Sequence, residues 1–196
     1  MLFVNQNDYA HMKYPTHMEL PDHPSHNNSV KDAGCGLCSA CMMVDRLTTQ
    51  VLPLEECRDM AMECKANHDS GTNMEVFAPV LAERFALSYE ATDNMEALKA
   101  CLREGGCAIL NPGGDQEDGY IGVFTHGGHY IVAISERNGE FCILDPNLSD
   151  DKFQSEGRVG KVRVDGPFVY ASEALLIKET DNRSPRYYLF RRKSDQ

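Results

Sequence analysis

A cysteine lies between two glycines at positions 34–36, directly before a stretch with helical periodicity. A helix N-terminus presents free backbone N–H groups and a partial positive charge. It therefore lowers the pKa of a thiol placed there and favours the nucleophilic thiolate. The two glycines allow a tight turn and the close approach of a substrate backbone. Cys35 is therefore a candidate nucleophile, although this segment alone fits a buried, inert cysteine equally well.

A histidine and an aspartate lie where a hairpin would bring them together. His129 begins one apolar run and Asp145 ends the next, with Asn138 and Gly139 between the runs. An Asn–Gly pair is typical of a tight hairpin turn, and counting about seven residues outward on each strand brings the two side chains close. An acid beside a histidine fixes its tautomer and supports its charged form. Together with Cys35, these residues make up a thiol, a base and an orienting acid for covalent catalysis.

Four segments, taken together and in their order, resemble the bacterial double-glycine-peptidase-like group of papain-clan cysteine peptidases. These segments are Val4-Asn5-Gln6-Asn7-Asp8, Gly34-Cys35-Gly36, Gly128-His129 and Asp145-Pro146-Asn147. The likeness extends from Gln6 to Asn147 and leaves residues 148–196 unassigned. It implies a papain-like cysteine peptidase fold and a peptide or peptide-like amide as the substrate.

The resemblance also implies a role for each residue. Cys35 would attack the carbonyl carbon, while His129 would hold the thiolate as an ion pair and later protonate the leaving amine. Asp145 would orient His129. Gln6 would supply a side-chain N–H to an oxyanion hole, with the backbone N–H of Cys35 as the second donor. Other amides compete with Gln6 for this role, namely Asn5, Asn7 and Gln50.

The sequence departs from the family pattern after the nucleophile's glycine, where Leu37 and Cys38 replace the usual proline and threonine. Cys38 and Cys41 follow Cys35 on nearly one helical face. Both could be core residues, or Cys38 could form a disulfide with Cys35 and inactivate it. His126 is a second candidate base or a substrate contact, ranked below His129.

The hydrophobic pattern places helices before strands. Helices are predicted over residues 35–47, 54–66, 74–85, 94–103 and 172–177. Strands are predicted over residues 87–92, 107–110, 120–124, 129–134, 140–144, 162–164, 168–170 and 187–191. This segregation indicates an α+β fold, with N-terminal helices packed on a C-terminal antiparallel sheet.

Size and charge limit the remaining choices. The chain has 196 residues, which suits a single domain spanning residues 1–196. Its 30 acidic and 19 basic residues give a net charge of −11, which argues against nucleic acid as a partner. The start does not resemble a signal peptide, and no apolar run approaches the roughly 20 residues of a membrane helix. The eight cysteines are then expected to be mostly free thiols in a cytoplasmic protein without a membrane span.

Three other functions fit the same residues. A papain-like fold also hosts acyltransferases, transpeptidases and amidases. Cys35, Cys38 and Cys41 could instead serve a metal or redox module, although a second ligand pair of the usual spacing is missing. A degenerate peptidase fold could act as a binding domain. No metal or cofactor is expected, and the N-terminal histidines at positions 11, 17, 23 and 26 are interpreted as solvated.

Overall fold

The computed structural model describes residues 1–15, 29–68 and 71–193. A short 3-10 helix, Gln6–Tyr9, precedes six α-helices. The helices are α1 (Val30–Ala33), α2 (Cys35–Leu47), α3 (Leu54–Glu63), α4 (Met74–Arg84), α5 (Met95–Arg103) and α6 (Glu173–Thr180). None of the helices in these ranges is long and apolar enough to cross a membrane.

In the described part of the chain, nine strands form two antiparallel sheets. The strands are β1 (Asn67–His68), β2 (Gly71–Thr72), β3 (Leu87–Thr92), β4 (Cys107–Leu110), β5 (Ile131–Arg137), β6 (Glu140–Leu144), β7 (Arg163–Asp165), β8 (Phe168–Ser172) and β9 (Tyr187–Arg192). Strands β1 and β2 pair alone, while the other seven form one sheet in the order β3-β9-β4-β5-β6-β8-β7. The predicted α+β class is confirmed.

Helix α2 is the element that supports the candidate nucleophile. Apart from Asp45 and Arg46 it is buried along its whole length, because its sequence is apolar on nearly every side. It contacts α3 as well as the central strands β4 and β5. A helix enclosed in this way has a fixed position relative to the sheet, so its first residue, Cys35, is fixed relative to β4 and β5.

The central strands are buried on both faces. In β5, Val132 and Ile134 join the core beneath α2 to α4, whereas Ile131 and Ala133 join a second core beneath α5 and α6. Successive side chains of a strand point to opposite faces, so a continuous apolar run indicates a strand covered on both sides. The helices therefore lie on both faces of the sheet, with the N-terminal ones on the face that carries Cys35.

The predicted boundaries differ from the structure at two places near the site. Strand β5 begins at Ile131, so His129 lies in the loop before it, where its backbone N–H donates to the Pro112 carbonyl at 3.1 Å. Residues 120–124 form a loop instead of a strand. The buried Glu179 carboxylate accepts from the backbone N–H groups of Val123 and Phe124 at 2.8 and 3.0 Å. These bonds satisfy donors that a strand would use in its ladder.

Candidate active site

Cys35 is the first residue of α2, and the glycines on either side of it pack closely against neighbouring elements. A Cβ on Gly34 would come within 2.4 Å of the Val30 side chain, and one on Gly36 would come within 2.6 Å of Thr72. Both positions therefore require glycine for close packing against α1 and β2. Cys35 is buried, with 8% of the residue exposed.

His129 and Asp145 meet where the β5–β6 hairpin opens. The last paired residues of this hairpin are Val132 and Leu144, and the chain leaves the ladder toward His129 on one side and Asp145 on the other. The Nε2–H of His129 donates to Asp145 Oδ1 at 2.8 Å, and both side chains are buried. The other ring nitrogen, Nδ1, is then the atom available to the Cys35 thiol.

The ionisation of Cys35 and His129 is coupled. Burial raises the pKa of the Cys35 thiol, but the hydrogen bond and charge of His129 and the backbone N–H groups of Tyr130 and Gly36 lower it by more, so the pKa lies below its ordinary value. Burial lowers the pKa of His129, while Asp145 and the Cys35 hydrogen bond raise it above its ordinary value. These opposite net shifts favour a thiolate–imidazolium pair.

Lys152 is a contact of the site that the sequence pattern does not reveal. Its Nζ donates to Asp145 Oδ2 at 2.5 Å, and the backbone N–H of Asn147 donates to Asp145 Oδ1 at 2.9 Å. Although burial raises the pKa of Asp145, the charges of Lys152 and His129 hold it far below its usual range. Lys152 follows two aspartates in a polar loop, and such a sequence normally indicates a solvated surface.

Gln6 lies between helix α1 and the segment that follows Asp145. Its backbone N–H donates to the Pro146 carbonyl at 2.7 Å, and its Nε2 donates to the Lys31 carbonyl at 2.6 Å. The side chain is 5% exposed, and its Oε1 has no partner among the described residues.

The competing amides lie in other environments. Asn5 caps the 3-10 helix by accepting from the Asn7 backbone, and Asn7 donates to the Asn147 side chain at 2.8 Å. Gln50 is exposed beyond the end of α2. Gln6 is therefore the buried amide among the four.

The second-ranked histidine and the neighbouring cysteines lie apart from this pair. His126 is exposed, and its Nδ1 bonds to Asp115 at 2.9 Å. Cys38 and Cys41 are buried in the core, and all eight cysteines are free thiols. Burial raises the pKa of Cys38, which makes it a poor nucleophile compared with Cys35.

No three His, Cys, Asp or Glu side chains group as metal ligands within residues 1–15, 29–68 and 71–193. His11 is exposed in this part of the chain. The histidines at positions 17, 23 and 26 lie outside the described residues.

The fold and the hairpin-edge site define the chain as a papain-like α+β structure. A crystal structure of a putative C39-like peptidase from Bacillus anthracis superposes with a TM-score of 0.60. The match covers 99% of this chain and 96% of that one at 12% identity, so the likeness concerns the fold. No protein-family model matches the sequence, and no curated protein sequence matches it either.

Proposed function

We propose that this protein is a cysteine peptidase that cleaves a peptide or peptide-like amide bond through Cys35, His129 and Asp145. The observation that carries the proposal is the buried His129–Asp145 hydrogen bond beside a thiol of lowered pKa. An inert core cysteine would have its pKa raised by burial, as Cys38 and Cys107 do. The C39-like peptidase fold of the structural neighbour supports the same class of reaction.

The reaction proceeds through an acyl-enzyme. The Cys35 thiolate bonds to the carbonyl carbon while the C=O π pair moves to the oxygen. When this tetrahedral species collapses, the C–N bond breaks and the His129 imidazolium gives its proton to the leaving nitrogen. Water then attacks the thioester carbonyl and passes a proton to His129. The C–S bond breaks, which releases the carboxylic acid product and regenerates the thiolate–imidazolium pair.

The developing oxyanion requires donors near the Cys35 sulfur. The backbone N–H of Cys35 lies at the start of α2, where helix N–H groups are free of intrahelical partners. Gln6 uses one Nε2 hydrogen on the Lys31 carbonyl, and its amide has a second hydrogen. We assign that second hydrogen to the oxyanion, as the second donor of the hole.

Two finer features belong to this proposal. The resemblance implies cleavage after a pair of glycines, which can be tested with peptides that differ only in those two residues. The eight free thiols support a reducing, cytoplasmic environment, because disulfides are rare there.

Brief iodoacetamide treatment at pH 6, followed by peptide mass spectrometry, tests the proposal. An ordinary thiol has a pKa of about 8.5 and is almost wholly protonated at that pH. We expect rapid, selective labelling of Cys35 that is lost in His129→Ala and kept in the control His11→Ala, whose histidine is exposed. Equally slow labelling of all eight cysteines in folded wild-type protein would contradict the proposed mechanism.

A further inference from the structure

A pocket of about 390 Å³ opens beside the His129–Asp145 pair. It is bordered by Gly127, two residues before His129, and by Asn147, two residues after Asp145. Its other polar lining residues are Thr125, His126, Ser149, Lys152 and Arg158. We call this space the Arg158 pocket.

The charge of the Arg158 pocket is opposite to that of the protein as a whole. The chain carries a net charge of −11, yet the described residues that line the pocket include two cations and no carboxylate. Lys152 and Arg158 are 9% and 7% exposed. Buried cations are costly unless anions or hydrogen-bond acceptors compensate them, so their presence here requires an explanation.

The two cations differ in how they are compensated. Lys152 is paired with Asp145 at 2.5 Å. Arg158 donates its Nε–H to the neutral Gly122 carbonyl at 2.8 Å, and its buried Nη2 has no hydrogen-bond partner among the described residues. The backbone N–H of Gly122 and, to a lesser extent, the charge of Arg158 lower the pKa of the Asp115 carboxylate. That carboxylate, however, is already bonded to His126 and to the Gly122 backbone N–H. The Nη2 donor of the guanidinium therefore lacks an acceptor among the described residues. The planar carboxylate of a bound ligand would supply one.

The position of the pocket indicates which part of a substrate it would meet. In the proposed reaction His129 protonates the leaving nitrogen, so the leaving portion of the peptide must lie on the His129 side of Cys35. The Arg158 pocket begins at the segments that carry His129 and Asp145. A residue just beyond the scissile bond would therefore extend toward it.

We propose that the Arg158 pocket is a carboxylate-binding subsite for the leaving portion of the substrate, with Arg158 as its principal ligand. This inference rests on the proposed peptidase function. The carboxylate comes either from the free C-terminus of a short leaving peptide or from an acidic side chain within a longer one. In both cases the enzyme would select for negative charge after the cleaved bond.

Binding to ¹⁵N-labelled Cys35→Ala protein, followed by NMR, tests this subsite without turnover. The probes are Gly-Gly, whose C-terminus is a carboxylate, and Gly-Gly amide, in which that charge is removed. Gly-Glu amide and Gly-Gln amide form the corresponding pair for a side-chain carboxylate. We expect at least one carboxylate probe to shift the amide signals of Gly127, Ser149 and Lys152, and to bind more tightly than its neutral counterpart.

Substitutions in the same loop identify the ligand. Arg158→Gln should weaken binding of the carboxylate probe about tenfold or more, as expected for loss of one charge-assisted hydrogen bond. Lys161→Gln removes an equal charge from an exposed residue nearby and should change the binding of the carboxylate probe little. If Arg158→Gln does not fold, Arg158→Lys provides the comparison, since lysine keeps the charge but loses the planar pair of donors.

The outcomes distinguish the two possible sources of the carboxylate. They also distinguish failure of the subsite from failure of the proposed peptidase function. Preference for Gly-Gly identifies a terminal carboxylate, and preference for Gly-Glu amide identifies an acidic side chain. Equal binding of charged and neutral probes, or unchanged binding in Arg158→Gln, would overturn the subsite. Selective labelling of Cys35 together with that result would leave the peptidase function standing. Carboxylate binding without selective labelling would reject the catalytic use of the pocket.

Discussion

At the scale of single residues, the environment of Asp145 distinguishes this site from a bare cysteine–histidine–aspartate set. One carboxylate oxygen accepts from His129 and from the Asn147 backbone, and the other accepts from Lys152. These three hydrogen bonds use three of the roughly four lone-pair directions of an ionised carboxylate, and they hold the group in one orientation. The charge of Lys152 lowers the pKa of His129 and opposes the effect of Asp145 on it. Lys152 is therefore a positioning residue that acts on His129 through Asp145.

This pairing makes the two side chains interdependent in stability. Asp145→Asn should reduce the free energy of unfolding at pH 7 by about 3–5 kcal/mol, because it leaves the buried Lys152 charge unpaired. The double variant Asp145→Asn/Lys152→Met should lose less than the sum of the two single losses. Urea denaturation of the four proteins in a double-mutant cycle measures this coupling. Strictly additive losses would show that the buried pair has no energetic coupling.

The same pair predicts a response to acid. The pKa of Asp145 is depressed in the folded state, so its contribution to stability is present above the ordinary aspartate pKa of about 3.9 and is lost as the pH falls below it. Wild-type protein should therefore lose more stability between pH 5 and pH 3 than the double variant does. Urea denaturation at several pH values in this range compares them. Equal losses in both proteins would contradict the depressed pKa.

At the scale of elements, α6 positions the loop that leads into the site. Glu179 lies near the end of α6 and is completely buried. Besides the two backbone bonds to Val123 and Phe124, it accepts from the Tyr120 hydroxyl at 2.6 Å. This single carboxylate therefore anchors the 120–124 loop, which precedes His126 and His129. Residues beyond the extent of the family resemblance thus hold the segment that carries His129.

Glu179→Gln tests this anchoring. The substitution replaces an acceptor oxygen by an NH₂ group. It should reduce the free energy of unfolding by about 2–4 kcal/mol, because buried hydrogen bonds to a charged group are lost. Hydrogen–deuterium exchange should increase over residues 120–128 more than elsewhere. The matched control is Glu173→Gln on the same helix, whose half-buried carboxylate pairs with Lys99 at the surface. Exchange that rises equally in both variants would argue against a specific anchor.

At the scale of the whole molecule, the sheet separates two cores, and most cysteines belong to them. Cys38, Cys41 and Cys57 cluster between α2 and α3, while Cys101 and Cys107 lie on opposite faces of the sheet. Burial raises the pKa of Cys38, Cys57, Cys101 and Cys107. The protein therefore combines one thiol of lowered pKa, Cys35, with several buried thiols of raised pKa.

This arrangement predicts a staged exposure of thiols. Below the urea transition, iodoacetamide at pH 8 should label Cys35 first and the half-buried Cys64 more slowly. Five thiols are at most 1% exposed, namely Cys38, Cys41, Cys57, Cys101 and Cys107. They should become reactive together at the unfolding midpoint, because small domains unfold cooperatively. Mass spectrometry after labelling across a urea series measures the order. Labelling of Cys38 well below the midpoint would show that α2 opens locally, and would contradict its enclosure in the core beneath α2 to α4.

The sequence by itself determined the parts of this protein that depend on local pattern. Helix α2 spans residues 35–47 as its periodicity predicts, and β3, β4 and β6 also have the predicted bounds. These elements carry clear apolar periods and turn signals, such as Asn138 and Gly139, both of which have positive φ. The same patterns predict that His129 and Asp145 lie near one end of a hairpin and that Cys35 begins a helix.

Only the tertiary structure decided the contacts that depend on long-range packing. Residues 120–124 resemble a strand locally, but Glu179, about 55 residues later, binds their backbone. Lys152 belongs to a polar loop that pattern alone assigns to solvent, yet folding buries it against Asp145. Arg158 enters the neighbouring pocket for the same reason. Local sequence encodes propensity and periodicity, whereas the partner of a buried charge is selected by which distant segments the fold brings together.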